Sequence, residues 1–415
     1  MTDTYKKLAA IAPTNDEEKF LYAAPAATSS LVSNITVANR SSSSATFDIN
    51  IYQSGITQQS DIDNSSLGKN FFIAAGGGDG GIKTSTNGTT WTLVGGAYTT
   101  HHARVLYGNG VYVTASENNN SSVSTNGTTW SISTGTTGLN QIVKASAFGA
   151  GVFLFTAAES RSQLVTSTNG VTWTSRTFPV AALWDNVIYA QDKFVAISGY
   201  SSAIAATSTN GTTWTQRTLP ASFTPTKTEV VYGNNSFVIV GLNSNLVAHS
   251  TDAVTWTTQT LPVTLAGNTR SAAPSAAYGS GVFVAISYGS AAAASSTDGI
   301  TWTGRTLPVV EYNKDVEYGA GKFVSTATNR SIAFQSTDGA TWTTYSPPYG
   351  QFNDISYIGP YTSPTTNKLY SSSTIDANET LVLEPGVILS ASASIVVKDR
   401  SAGNLTFSTY GVELS

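Results

Sequence analysis

A seven-residue phrase returns seven times along this chain and restricts the fold more than any other feature. It reads STNGTTW from Ser85 and Ser124, STNGVTW from Ser167, STNGTTW from Ser208, STDAVTW from Ser250, STDGITW from Ser296 and STDGATW from Ser336. Seven of the eight Trp thereby share one register, at Trp91, Trp130, Trp173, Trp214, Trp256, Trp302 and Trp342, with spacings of 39, 43, 41, 42, 46 and 40 residues. Only Trp184 stands outside it. A period of about 40–45 residues is the length of four short strands with their turns, which is one blade of a β-propeller.

Each unit can be read as a four-stranded meander. Upstream of the phrase lies an aromatic, a Gly-rich turn and an apolar run, as in Tyr107 GNGVYVTA, Phe148 GAGVFLFTA, Tyr232 GNNSFVIVG, Tyr278 GSGVFVAIS and Tyr318 GAGKFVSTA. Continuous runs such as Val282–Ile286 imply strands covered on both faces, as stacked blades would be. The Asn-Gly or Asp-Gly pair within the phrase is a strong hairpin signal, expected to turn the third strand into the fourth. The fourth strand begins Thr-Trp and often ends at Pro, as in TWTSRTFP from Thr172, which suits an outer edge. The first unit lacks an inner strand, and a spare one, Asp354-Ile355-Ser356-Tyr357, follows the last Trp. That strand is expected to complete the first blade and close the ring, which leaves no free edge.

Residues 1–60 and 367–415 carry strand-like runs of their own, about seven or eight in all, the number a β-sandwich uses. The expected architecture is therefore all-β: a seven-bladed β-propeller over residues 61–366, inserted into a discontinuous β-sandwich made from 1–60 plus 367–415. Insertion is tolerated where the inserted domain's ends are adjacent.

Two resemblances rest on these residues. The repeated phrase resembles the Asp-box of sialidase-like propellers, S-x-D-x-G-x-T-W, although the copies here are one residue shorter, carry Asn in four of seven and have Ala253 in place of Gly. In that family the box is a structural turn, so the resemblance implies fold and transfers no catalytic residue. The flanks, FLYAAPAATSSLVSNITVANRSSSSATFDINIY from Phe20 and TIDANETLVLEPGVILSASASIVVKDRSAGNLTFSTYGVEL from Thr374, look like a β-sandwich module common in virion proteins of tailed bacteriophages. This second resemblance implies a module that docks onto a particle.

Chemistry is sparse. With 21 Lys and Arg against 25 Asp and Glu and only 11% charged residues, there is little to neutralise phosphates, so neither nucleic acid nor membrane insertion is expected. No Cys is present, which suits a reducing compartment, and MTDTYKK opens no signal-length apolar stretch. Glycosidase chemistry requires a placed pair of carboxylates, and sialidase chemistry an Arg cluster as well. Arg176, Arg217 and Arg305 instead recur at one position on the outer strand. Glu117, Glu159, Glu229, Glu311 and Glu317 read as solvated loop acids. His101, His102 and His249 are too few for a zinc site, and DIDN from Asp61 lacks the Gly and bidentate Glu of a calcium loop. GGGDGGIKTS from Gly76 satisfies G-x-G-x-x-G but precedes a strand rather than a helix, and reads as a hairpin loop.

No cofactor, metal or catalytic residue is expected. The seven repeat Trp should pack between blades, whereas Tyr98, Trp184, Tyr200 and Tyr288 break the repeat and are the candidates for surface binding. The sequence thus reads as a non-enzymatic tailed-phage virion protein, assembled in the host cytoplasm and multimeric on the particle. Its sandwich would contact other virion proteins, and its propeller would project to bind a host-surface glycan or protein as a tail, baseplate or fibre component. A purely structural decoration of capsid, neck or tail is the alternative, and a glycan-cleaving enzyme the third.

Overall fold

The computed structural model describes residues 6–11, 18–23, 29–39, 43, 45–52, 71–77, 81–94, 105–115, 120–136, 138–139, 143–157, 162–198, 204–224, 228–266, 274–327, 332–346, 351–358, 367–375, 378, 380–383, 387–389, 394–399 and 405–414. Every regular element among them is a β-strand. The chain divides into two compact units, Asn70–Gly359 and the two flanks Met1–Lys69 with Pro360–Ser415.

Asn70–Gly359 is a seven-bladed β-propeller. Each blade is an antiparallel four-stranded meander, exemplified by blade 4 with Trp184–Ala190, Lys193–Ser198, Ile204–Ser208 and Thr215–Thr218 in spatial order. Blades 2, 3, 5, 6 and 7 open at Leu106, Val143, Thr228, Ser275 and Asn313. The first strands of successive blades pack on one another, which places them around the axis. Blade 1 draws its inner strand from the far end of the unit: Gln351–Ile358 pairs antiparallel with Phe71–Gly77, in register from Gln351↔Gly77 to Ile358↔Phe71. The spare strand read from the sequence therefore closes the ring.

The core consists of seven inter-blade layers rather than one centre. Each apolar cluster takes its members from two neighbouring blades, from Ile73, Ile82 and Tyr112 between blades 1 and 2 to Phe72, Val324 and Ile355 between blades 7 and 1. This is why the second strands are uninterrupted apolar runs: Ser236–Gly241 is buried at every position, because both sheet faces are covered.

Within most blades three aromatic rings form a ladder from inner to outer strand. In blade 6 Tyr278 meets Phe283 at 4.6 Å, and Phe283 meets Trp302 at 6.4 Å. Blades 1, 2, 4, 5 and 7 repeat the arrangement, while in blade 3 Trp173 instead stacks on Phe155 at 4.7 Å. The inner aromatic also needs a small residue on the preceding blade. A Cβ on Gly279 would lie 1.9 Å from the Tyr318 ring, and Gly108, Gly149, Gly233 and Gly319 stand in the same relation to the next ring along.

In the flanking unit two antiparallel sheets interleave strands from both ends of the chain. Leu405–Leu414 lies between Lys6–Ile11 and Ser29–Asn39, which also pairs with Thr380–Leu383 and Val387–Leu389. In the other sheet Ser394–Asp399 lies between Glu18–Ala23 and Ala45–Tyr52, and Asn367–Ile375 completes it. Phe47 of one sheet and Phe407 of the other meet edge-on at 5.8 Å, and both are fully buried. Lys6–Ile11 is a strand that the sequence reading had not singled out.

Candidate binding surface

The two ends of the propeller are built from different kinds of residue. One end holds the first-to-second and third-to-fourth strand connections, and the repeat dictates both. In the repeated phrase of blade 4, Ser208 Oγ accepts from Gly211 N at 2.9 Å and donates to Asn210 Oδ1 at 3.1 Å. Asn210 Oδ1 in turn accepts from Thr212 N and Thr213 N, both at 2.9 Å, and Trp214 Nε1 donates to Gly211 O at 3.2 Å. The same Ser and Asn/Asp bonds recur in all seven copies. The connection is thus a side-chain-organised loop, Thr209–Trp214, rather than the two-residue turn the Asn-Gly pair suggested. Two-residue turns with both φ positive occur instead between the first and second strands, as at Ala320 and Gly321 (φ 47° and 77°). Side chains from these turns cross to the next blade: Asn109 Nδ2 donates to Thr168 O at 2.8 Å and Asn234 Nδ2 to Thr297 O at 3.1 Å. Phe71 and Ile358, where the chain enters and leaves the propeller, also lie at this end.

The opposite end carries the second-to-third connections and the crossings from one blade to the next, where the repeat places no constraint. Between blades 5, 6 and 7 these loops are tied into one layer. Tyr288 N donates to Ala266 O at 3.0 Å, Gly289 N to Glu311 O at 2.9 Å and Asn313 Nδ2 to Ser287 O at 3.1 Å. Tyr288 and Tyr312 form an isolated β-bridge and their rings lie 5.2 Å apart at 50°. Gly289 allows this approach: it takes φ +74°, and a Cβ there would lie 3.3 Å from Tyr312. Tyr312 is 45% exposed and Val310 62%, and Lys314 Nζ sits 5.8 Å from the centre of the Tyr288 ring.

Lys314 occupies its position because the inner strand bulges. The register slips between Asn313 and Asp315 in blade 7, between Trp184 and Asn186 in blade 4 and between Val143 and Ser146 in blade 3. The extra residues are Lys314 in blade 7, Asp185 in blade 4 and, in blade 3, one of the Lys144–Ala145 step; bulges commonly re-aim side chains in this way. Lys144 Nζ approaches Asp185 Oδ1 at 3.9 Å. Burial, and secondarily the field of Lys144, lowers the Lys314 pKa below the ordinary lysine range. Next to it, buried Asp315 joins three blades: its Oδ1 accepts from Ser275 Oγ of blade 6 at 2.8 Å, and its Oδ2 accepts from Ile355 N of blade 1 at 3.0 Å.

Of the residues singled out by sequence, Trp91, Trp214, Trp256, Trp302 and Trp342 are buried, and Trp130 and Trp173 are half-buried against blade neighbours. Trp184 is not a surface residue. It is 2% exposed and stacks on Phe178 at 4.3 Å, filling the layer between blades 3 and 4 where Ala145, Ala147, Ala182 and Ala196 leave room for a large ring. Tyr288 is half-buried at the loop end, while Tyr98 and Tyr200 lie outside the described residues. Tyr312, the exposed partner of Tyr288, was missed; other crossings also carry aromatics, Tyr98, Phe178, Phe223 and Tyr349 among them, so its presence in the sequence does not set it apart.

Arg176, Arg217 and Arg305 lie on outer strands, where each Nε donates to a hydroxyl of the adjacent third strand at 3.4, 3.0 and 2.9 Å. Glu311 is 5% exposed rather than solvated, because the crossing into blade 7 folds it beneath the loop layer, whereas Glu229 and Glu317 are half-buried on inner strands. His249 is buried beside Ser236 Oγ at 3.0 Å, and burial lowers its pKa. Glu117, Glu159, His101, His102 and Asp61 lie outside the described residues. Gly76 lies within the strand Phe71–Gly77, and Ile82–Ser85 follows as another strand rather than a helix. Among the described residues no three His, Cys, Asp or Glu are grouped to hold a metal ion.

No protein-family model matches the sequence, and no curated protein matches it. Solved structures do share the fold. Selenomethionine-substituted virginiamycin B lyase from Staphylococcus aureus aligns with TM-score 0.51 at 10% identity, over 85% of this chain and 99% of that one. Sqt1 from Saccharomyces cerevisiae aligns with TM-score 0.51 at 11% identity, over 80% and 94% of the two chains. The computationally designed protein Ika8 aligns with TM-score 0.50 at 9% identity, over 83% and 96%. A lyase and a designed protein at such identities have a propeller in common with this chain, and the likeness extends to the fold alone.

Proposed function

We propose that this chain is a non-enzymatic attachment protein of a tailed-phage particle. In this reading its flanking sheets form a β-sandwich that docks on other virion proteins, and the loop end of its propeller contacts a glycan or protein of the host surface. One observation carries the binding part of the reading: the repeat residues are committed to turns at one end of the ring, and the exposed Tyr312 and Val310 stand at the other. Repeat-breaking loops on a rigid scaffold are where binding residues concentrate. The particle part of the reading rests on the resemblance of the flanks to virion sandwich modules. Multiple copies on a particle would make even weak contacts effective through avidity.

The test is adsorption of the purified chain to intact candidate host cells, with incorporation of tagged chain into particles measured in parallel. Adsorption and incorporation together are expected. Incorporation without adsorption would favour a structural decoration, and absence of both would remove the virion reading.

A further inference from the structure

We infer that the flanking unit is a conformational clasp: it assembles after the propeller ring has closed and then holds that ring shut through the covalent chain. Among the described residues, every strand pairing of this unit joins the N-terminal flank to the C-terminal one. Leu405–Leu414 pairs with Lys6–Ile11 and Ser29–Asn39, and Ser29–Asn39 with Thr380–Leu383 and Val387–Leu389. Ser394–Asp399 pairs with Glu18–Ala23 and Ala45–Tyr52, and Ala45–Tyr52 with Asn367–Ile375. The strand order thus alternates between the two ends of the chain in both sheets. Strands consecutive in sequence usually pair with one another, and neither flank alone supplies one of these pairings. The core is shared in the same way: Ile35, Val37 and Phe47 are buried from one flank and Leu405 and Phe407 from the other, with the Phe47 and Phe407 rings 5.8 Å apart.

Ring closure supplies what the two flanks lack, which is proximity. Blades 2–7 are each built from contiguous chain, and such local pairings form faster than long-range ones. Ile51 and Asn367, by contrast, are register partners more than 300 residues apart. Once Phe71 pairs with Ile358 in blade 1, the chain that Ile51 and Asn367 must close shrinks to about 30 residues, which favours their meeting about thirtyfold on loop entropy. Linkage makes the effect reciprocal: an assembled flanking unit favours the folded, closed ring over the unfolded one by the same factor, as a cross-link would. If the unit docks on virion proteins, a chain whose ring is open has no docking module to offer; that consequence rests on the attachment reading, and the clasp does not.

The experiment uses the full-length chain. All eight Trp lie within Asn70–Gly359, so intrinsic fluorescence follows the propeller alone, and the absence of Cys lets introduced thiols report on the flanks. Thr36→Cys and Ser408→Cys, register partners on neighbouring strands, would each carry a pyrene. On refolding, the pyrene excimer should appear after the Trp signal has recovered. The reciprocal half is read by native-state hydrogen exchange of Lys193–Ser198 in blade 4, a strand remote in sequence from both flanks. Phe407→Asp, which sets a charge against Phe47, should strip protection from Ser29–Asn39 and Ala45–Tyr52 together with Leu405–Leu414, and should speed exchange of Lys193–Ser198 about thirtyfold. Joining the two introduced thiols by a short bifunctional linker in that variant should restore slow exchange in blade 4 although the flanking core stays broken. An excimer that precedes Trp recovery, strands of one flank that keep protection after the other has lost it, or a blade 4 indifferent to both lesion and linker would each overturn the inference. Should Phe407→Asp fail to fold, the order of the two refolding signals in the chain that keeps Phe407 decides alone. Neither readout involves a particle or a host cell, so loss of the attachment reading would leave the clasp standing.

Discussion

Replacing Trp214 by Ala tests the inter-blade core where its geometry is best defined. The indole is 9% exposed, lies 4.7 Å from Phe178 of blade 3 and 6.2 Å from Phe194 of its own blade, and donates Nε1 to Gly211 O at 3.2 Å. Burying an indole removes about 200 Å² from water, or about 5 kcal/mol at 25 cal/mol per Å². Alanine retains a small part of that, and the surrounding rings relax only partly into the space. A loss of about 3–5 kcal/mol is therefore expected. For a domain of this size each kcal/mol moves the melting point by about 2 °C, so the shift should be about 6–10 °C. Trp173 supplies the control: it is half-buried and stacked flat on Phe155 at 4.7 Å, so Trp173→Ala should cost visibly less. The assay is thermal and denaturant unfolding followed by circular dichroism. Equal costs at the two positions, or an unchanged melt for Trp214→Ala, would refute the assignment of the register tryptophans to inter-blade packing.

Further predictions concern single bonds. Trp184→Phe should cost less than about 1.5 kcal/mol by chemical denaturation, because the ring stack is kept and Trp184 Nε1 has no hydrogen-bond partner to lose. Asp315→Ala should cost about 2–4 kcal/mol, since it leaves Ser275 Oγ and the amide of Ile355 without the acceptor they use and leaves the Val316 amide with Ser275 Oγ alone, and hydrogen exchange should show the loss spreading to the closing strand Gln351–Ile358. The repeated phrases of blades 5, 6 and 7 carry Asp where the other four carry Asn. Backbone amides of Thr341 and Ala340 hold the Asp338 carboxyl down to about 2. Its folded pKa lies below the unfolded value near 3.9, so the stabilisation is fully present above that value and is lost as pH falls through the folded pKa. Asp338→Asn should therefore flatten the acid limb of stability between about pH 4 and pH 2 while changing little at neutral pH.

The sequence and structure agree where a local rule dictates the outcome. The tryptophan register gave the blade count, and the missing first strand paired with the spare Asp354–Tyr357 segment gave the ring closure, because an edge strand without a partner must find one. The Asn-Gly pair pointed to the right connection but the wrong turn, since the Ser Oγ and Asn Oδ1 bonds to backbone amides are side-chain chemistry that the dipeptide signal does not contain. Trp184 failed for a different reason. Departure from a repeat does not separate a binding residue from a core residue filling a wider gap, and only the alanine-rich cluster in which Trp184 is buried shows which applies. Tyr312 was illegible because its significance lies in a bridge to Tyr288, twenty-four positions away by residue number, that forms only when two loops meet. Lys314 likewise owes its place to a bulge, which leaves no mark in the composition of the strand.

The most direct test of the account uses the absence of Cys from the chain, which allows one introduced thiol to be labelled alone. Val310 (62% exposed) stands at the loop end and Ile300 (44% exposed) at the turn end of neighbouring connections in blade 6. Val310→Cys and Ile300→Cys would each be coupled to a bulky polyethylene glycol chain, and adsorption to host cells compared with the uncoupled proteins. The account predicts that the label at position 310 abolishes adsorption while the label at position 300 leaves it intact. Adsorption blocked from position 300 and unaffected from position 310 would contradict the claim that the loop end is the binding face.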